Sequence, residues 1–68
     1  MNIEKKLKNN LKEIRVSKGL SQERLAKLIG VSRNTISSIE TNMICPNTQL
    51  ALMIARVLEK NLEEIFYL

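Results

Sequence analysis

Apolar residues in this chain recur at helical spacing and are interrupted, at short intervals, by residues that start or stop helices. Leu7, Leu11 and Ile14 fall three or four apart, the spacing that lines one face of a helix. Gly19 follows, a residue able to take the left-handed conformation that ends a helix. Ser21 then reads as the cap of a second helix, with Glu23 in its first turn where the dipole favours negative charge. Leu25, Ala26 and Ile29 supply its inner face, and Gly30 closes it. Ser32 caps a third helix, running from about Arg33 to Thr41 with Ile36 and Ile39 turned inward. Pro46 blocks any backward extension of the next helix, and Asn47 caps it. Its inward stripe is Leu50, Ala51, Ile54, Ala55 and Leu58, which Leu52, Met53 and Val57 widen beyond what one small core requires. Asn61 and Glu64, spaced as a capping-box analogue, open a short last helix from Leu62 to about Phe66. The pattern predicts five helices, no strand and an all-α fold.

The third helix is poor core material. Apart from its two isoleucines it carries Arg33, Asn34, Thr35, Ser37 and Ser38, short or hydrogen-bonding groups of modest helix propensity. The loop before it is only Gly30-Val31-Ser32, which forces the second and third helices to cross steeply, as in a helix-turn-helix. Ala26 permits close approach, while Val31 and Ile36 fill the corner. The outer face of the third helix then presents Arg33, Asn34, Ser37 and Ser38 to whatever lies outside. An α-helix fits the major groove of DNA, where Arg bonds guanine bidentately and Asn does the same with adenine.

Composition narrows the function classes. Sixty-eight residues make one domain, residues 1–68, with a core that is marginal at this size. Cys45 is the only cysteine and there is no His, so neither an internal disulfide nor a four-ligand zinc site is available. A second copy of the chain is the expected source of extra burial. The absence of His also argues against general acid–base catalysis, and no enzyme activity or cofactor is expected. No stretch is long enough and apolar enough to span a bilayer. The segment Met1 to Asn10 is too polar for a signal peptide, so a reducing cytoplasm is the expected setting. The net charge of +4 is unevenly placed: residues 1–34 hold nine Lys/Arg against three Glu, and residues 35–68 hold two against four. A basic half suits a polyanion, although a solvated helix surface gives the same count.

The segment from Leu11 to Phe66 resembles the XRE family, the helix-turn-helix class of phage Cro and repressor proteins. The resemblance rests on Leu20-Ser21-Gln22-Glu23-Arg24-Leu25-Ala26 and on Gly30-Val31-Ser32-Arg33-Asn34-Thr35-Ile36-Ser37-Ser38-Ile39-Glu40. It continues through Pro46, Ile54-Ala55, Leu58 and Leu62-Glu63-Glu64-Ile65-Phe66. It implies a compact five-helix, repressor-like DNA-binding domain with the helix-turn-helix at helices 2 and 3. Carried over position by position, it implies that Arg33, Asn34 and Ser38 read bases, with Ser37 beside them. Gln22 matches a phosphate-binding Gln, and the amides capped by Ser21 suit an anion as well. Thr35, Thr41 and Asn47 match positions at the sugar–phosphate backbone. Arg15 and Glu40 match a partly buried ion pair between the first helix and the end of the third, a structural role. Two departures stand out: Asn42 occupies the place where the family usually has Gly, and Met43-Ile44-Cys45 is apolar where many relatives carry Lys or Arg.

The remaining features have plainer readings. Residues 1–10 read as a basic extension of helix 1, with Lys5, Lys6 and Lys8 either solvated or forming an arm toward a groove. Cys45 reads as a bystander thiol, and Met43 and Met53 as gap-fillers. Residues 62–68 end in a run of apolar and aromatic side chains that either folds back or meets a partner. A homodimer through Leu62, Ile65, Phe66 and Leu68 is expected. Its two-fold axis would set the recognition helices about 34 Å apart, one turn of DNA. The favoured reading is a repressor that holds a palindromic operator in double-stranded DNA, with no membrane or small-molecule partner. The alternatives are an antitoxin that captures a toxin through Ile65–Leu68 and an amphipathic membrane-surface protein. The second fits poorly, because the basic and apolar regions lie at opposite ends of the chain.

Overall fold

The computed structural model describes residues 7–68, and Lys5 and Lys6 of the expected basic arm lie outside them. The chain forms β1 (Lys8–Asn9), α1 (Leu11–Ser17), α2 (Gln22–Ile29), α3 (Arg33–Glu40), α4 (Thr48–Leu58), α5 (Leu62–Ile65) and β2 (Phe66–Tyr67). Local chemistry sets most of these boundaries. Ser21 Oγ accepts from the Arg24 N–H at 3.0 Å, Ser32 Oγ from Thr35 at 3.2 Å and Asn47 Oδ1 from Leu50 at 2.8 Å. Each cap satisfies an amide that the helix itself leaves free. At the start of α5, Glu64 Oε1 accepts from the Asn61 N–H at 3.0 Å.

Left-handed residues end or follow the first four helices. Gly30 closes α2 at φ 92°, and Gly19 turns the chain after α1 at φ 71°. Asn42 takes φ 62° after α3, as its tolerance for that region allows. Glu59, which ends α4 at φ 55°, does so without glycine's freedom.

Leu11, Leu25, Ile36, Ile39, Ile54, Leu58 and Ile65 are fully buried at the centre. Five helices thus contribute to a single core, to which α2 brings Ala26 and α3 brings Ile36 on either side of the short loop. Leu52 and Met53 remain exposed on α4, in keeping with a stripe wider than the core.

Three expectations are corrected. The chain is not free of strands: β1 pairs antiparallel with β2, Lys8 opposite Tyr67 and Asn9 opposite Phe66. Residues 7–10 therefore do not extend helix 1. Asn9 Oδ1 takes the Leu11 N–H at 3.1 Å, and Asn10 donates its own N–H to the Ile65 carbonyl at 2.8 Å, so the helix starts at Leu11. Leu7, placed on the helix-1 stripe by its spacing, instead packs against the core ahead of the ribbon. Finally, Ile65 and Phe66 are not a surface for a partner. They are 0% and 8% exposed inside this chain's own core, because Phe66 enters β2 rather than continuing α5. Of the four residues expected at a dimer interface, Leu68 is exposed and Leu62 is half-buried.

Two outcomes follow. Ile36→Ala should cost about 2–5 kcal/mol in urea unfolding, since it empties a fully buried site at the α2–α3 crossing. Glu59→Gly should raise stability by up to about 1 kcal/mol by relieving a left-handed non-glycine, whereas Glu59→Val should lower it.

Candidate nucleic-acid interface

Only Ile36 and Ile39 of α3 are buried; Arg33 and Asn34 are exposed, and Thr35, Ser37 and Ser38 are half-buried. The four residues expected to read bases therefore lie on the side of the helix away from its isoleucines, with the two longest side chains in its first turn. That is the end of a recognition helix that reaches base edges. Lys12 on α1, Lys18 just after it, and Arg24 and Lys27 on α2 are exposed too, so the N-terminal part of the described chain offers positive charge to solvent.

Hydrogen bonding decides which candidate side chains still have a donor for a phosphate. Ser21 accepts through its oxygen, leaving its O–H to give. Asn47 likewise caps with Oδ1 and keeps its amide N–H groups. Ser32 and Thr35 share one hydroxyl hydrogen across 2.9 Å, so the pair retains one O–H. Thr41 differs: its hydroxyl donates to the Ser37 carbonyl at 2.9 Å. Its oxygen keeps only acceptor capacity, which gives a phosphate nothing unless that bond opens.

Behind this face lies a buried polar cluster. Arg15 Nε donates to Glu40 Oε2 at 2.6 Å, Arg15 Nη2 to Glu40 Oε1 at 3.3 Å and Arg15 Nη1 to the Leu20 carbonyl at 2.7 Å. Their side chains are 9% and 3% exposed, so the ion pair expected from the resemblance is present and deeply buried. Gln22 joins it, donating Nε2 to Glu40 Oε1 at 2.9 Å. The resemblance placed Gln22 at a phosphate but gave no sign of this second bond. No buried side-chain polar atom among the described residues lacks a partner.

Asn9 is a residue that sequence reasoning passed over. Its Nδ2 donates to the Ile39 carbonyl at 3.0 Å and to Asn42 Oδ1 at 3.0 Å, tying the ribbon to the last turn of α3. Asn42 thus adds an acceptor that a glycine in its place would lack. Neighbouring Asn10 receives the Tyr67 hydroxyl at 3.2 Å. Two asparagines inside a lysine-rich segment carry no local signal of such contacts. The apolar loop at Met43 and Ile44 folds back on α3, both N–H groups meeting the Ser38 carbonyl. Met43 is 78% exposed, so it fills no gap. Among the described residues no group of three His, Cys, Asp or Glu could hold a metal, and no helix is long and apolar enough to cross a membrane.

Comparison with known proteins agrees with this geometry. The sequence model of the helix-turn-helix family matches residues 11–65. The chain is 39% identical over 62 residues to the uncharacterized HTH-type transcriptional regulator YgzD of Bacillus subtilis (strain 168), covering 91% of this chain and 94% of that one. It is 45% identical over 60 residues to the uncharacterized HTH-type transcriptional regulator MJ0272 of Methanocaldococcus jannaschii, covering 88% and 91%. A crystal structure of a candidate DNA-binding protein from Bacteroides fragilis superposes with a TM-score of 0.82 over 90% of this chain and 98% of that one. At 24% identity that likeness speaks for the fold alone.

The buried pair gives a stability test. Arg15→Met should cost about 3–5 kcal/mol in chemical denaturation because it strands the Glu40 carboxylate. Arg15→Met combined with Glu40→Met should recover most of that loss, since paired replacement by apolar side chains of similar volume is often neutral.

Proposed function

The chain belongs to the XRE-type helix-turn-helix family, and on that premise we propose that it is a repressor that grips a palindromic operator as a homodimer. DNA binding in transcription regulation is the family's common property, and the relatives matched are named as transcriptional regulators. The observation that carries the DNA-contacting part of this reading is the face of α3. A helix that buries two isoleucines and leaves Arg33 and Asn34 exposed in its first turn is shaped to enter a major groove.

In this reading Arg33 and Asn34 discriminate bases, with Ser37 and Ser38 adding hydrogen bonds deeper along the groove. Ser21, Gln22, Thr35 and Asn47 fix register on the phosphates, a task that carries no sequence information by itself. Thr41 joins them only if its bond to Ser37 is released. Lys12, Lys18, Arg24 and Lys27 strengthen encounter through charge.

The dimer reading is supported by what remains uncovered at the C-terminal end. Leu68 is 61% exposed and Tyr67 40% exposed, and among the described residues β2 is paired on one side only, by β1. A two-fold arrangement would use this patch on both copies and place two copies of α3 one helical turn of DNA apart. Repression then follows from occupancy, with control through concentration or competition. A toxin-binding role has no comparable support, since the matched relatives are named as regulators.

Selection of bound duplexes from a random pool is expected to yield an inverted repeat with half-site centres about 10 base pairs apart. An unstructured preference contradicts the operator reading. On the selected site Asn34→Ala should cost about 1–3 kcal/mol and little on random DNA. If the dimer contacts six to ten phosphates, affinity should fall about 10³–10⁵-fold between 50 and 200 mM salt, read by fluorescence anisotropy.

A further inference from the structure

Gln22 and Glu40 lie at opposite ends of the helix-turn-helix, one opening α2 and the other closing α3, yet their side chains meet at 2.9 Å. We infer that Glu40 is a positioning residue that holds Gln22 in the orientation needed to bind a backbone phosphate. The inference rests on the DNA-binding reading and assigns to Glu40 a task beyond pairing with Arg15.

The chemistry of the contact fixes the orientation. A carboxylate only accepts hydrogen bonds, so the carboxamide must face it with its NH₂ rather than its oxygen. Glu40 Oε1 takes one N–H of Gln22 while also receiving Arg15 Nη2, and Glu40 Oε2 receives Arg15 Nε. The carboxylate cannot swing away from this set: its side chain is 3% exposed and Arg15 is fastened further by the Leu20 carbonyl. Gln22 itself is half-buried, and its second N–H has no partner among the described residues. A glutamine otherwise loses considerable rotamer freedom when it binds. Here that loss is met on folding, so the carboxamide is already held, with its second N–H unspent, before DNA arrives.

The arrangement also explains why the ion pair is more than a fastening between helices. Arg15 on α1 orients Glu40 on α3, and Glu40 orients Gln22 on α2. Three helices are thereby tied to one donor.

Two measurements test this on the intact protein. Nitrogen-15 relaxation of the side-chain amides compares Gln22 with Gln49, the chain's other glutamine, which is exposed on α4. Gln22 should be ordered in the free protein and Gln49 mobile; equal mobility of the two overturns the inference. A double-mutant cycle then reads the consequence. On the selected duplex Gln22→Ala should weaken binding about ten-fold. In the Arg15→Met/Glu40→Met background, which removes the acceptor and is expected to keep the fold, the same substitution should have almost no further effect. An undiminished ten-fold loss there overturns the positioning role. Failure of the unsubstituted protein to bind any duplex contradicts the DNA-binding reading instead, while the relaxation experiment still decides whether Glu40 orders Gln22.

Discussion

A single buried carboxylate organises this protein. Glu40, at the last turn of α3, has a side chain almost wholly out of water and accepts from Arg15 on α1 and Gln22 on α2. In a low-dielectric interior an unpaired carboxylate is very costly. The three helices must therefore sit where its hydrogen bonds can be made. Burial of aliphatic side chains favours compactness in general, whereas this carboxylate, while present, penalises any arrangement of α1, α2 and α3 that leaves it unpaired. The face of α3 that bears Arg33 and Asn34 inherits its direction from that arrangement.

The second constraint is the corner between α2 and α3. Gly30 turns the chain in the left-handed region, Val31 packs into the angle, and Ser32 starts the next helix at once. With so short a link the two helices cannot lie side by side, and the inner surface they share is filled by Ala26, Ile29 and Ile36. The polar side of α3 has nowhere to go but outward. Function in this fold thus follows from how little of α3 the core can use.

The helices and their ends were readable because their causes are local. Ser21, Ser32 and Asn47 cap within their own first turns, and Gly19 and Gly30 act at their own φ angles. The β-ribbon was not readable. Two-residue strands have no periodicity, and Lys8 meets Tyr67 only after nearly the whole chain has folded between them. The same long-range pairing draws Ile65 and Phe66 into the core, which is why a run of apolar residues at the chain's end resembled a partner surface. In the candidate site the outward residues of α3 and the Arg15–Glu40 pair were legible, the latter through family resemblance. The bonds of Gln22 to Glu40 and of Asn9 to Ile39 were not, since uncharged amides in sequence give no indication of their partners. Thr41 shows the converse: a residue type suited to a phosphate whose donor is already committed to the Ser37 carbonyl.

The central claim is that the polar side of α3 lies against the floor of a DNA groove. Titrating isotope-labelled protein with its selected duplex and following every backbone amide tests it most directly. The account predicts the largest shifts at Arg33, Asn34, Ser37 and Ser38, with a second group at the start of α2 around Gln22. Undisturbed amides across α3, with the changes confined to the exposed apolar side of α4 at Leu52 and Met53, would contradict it.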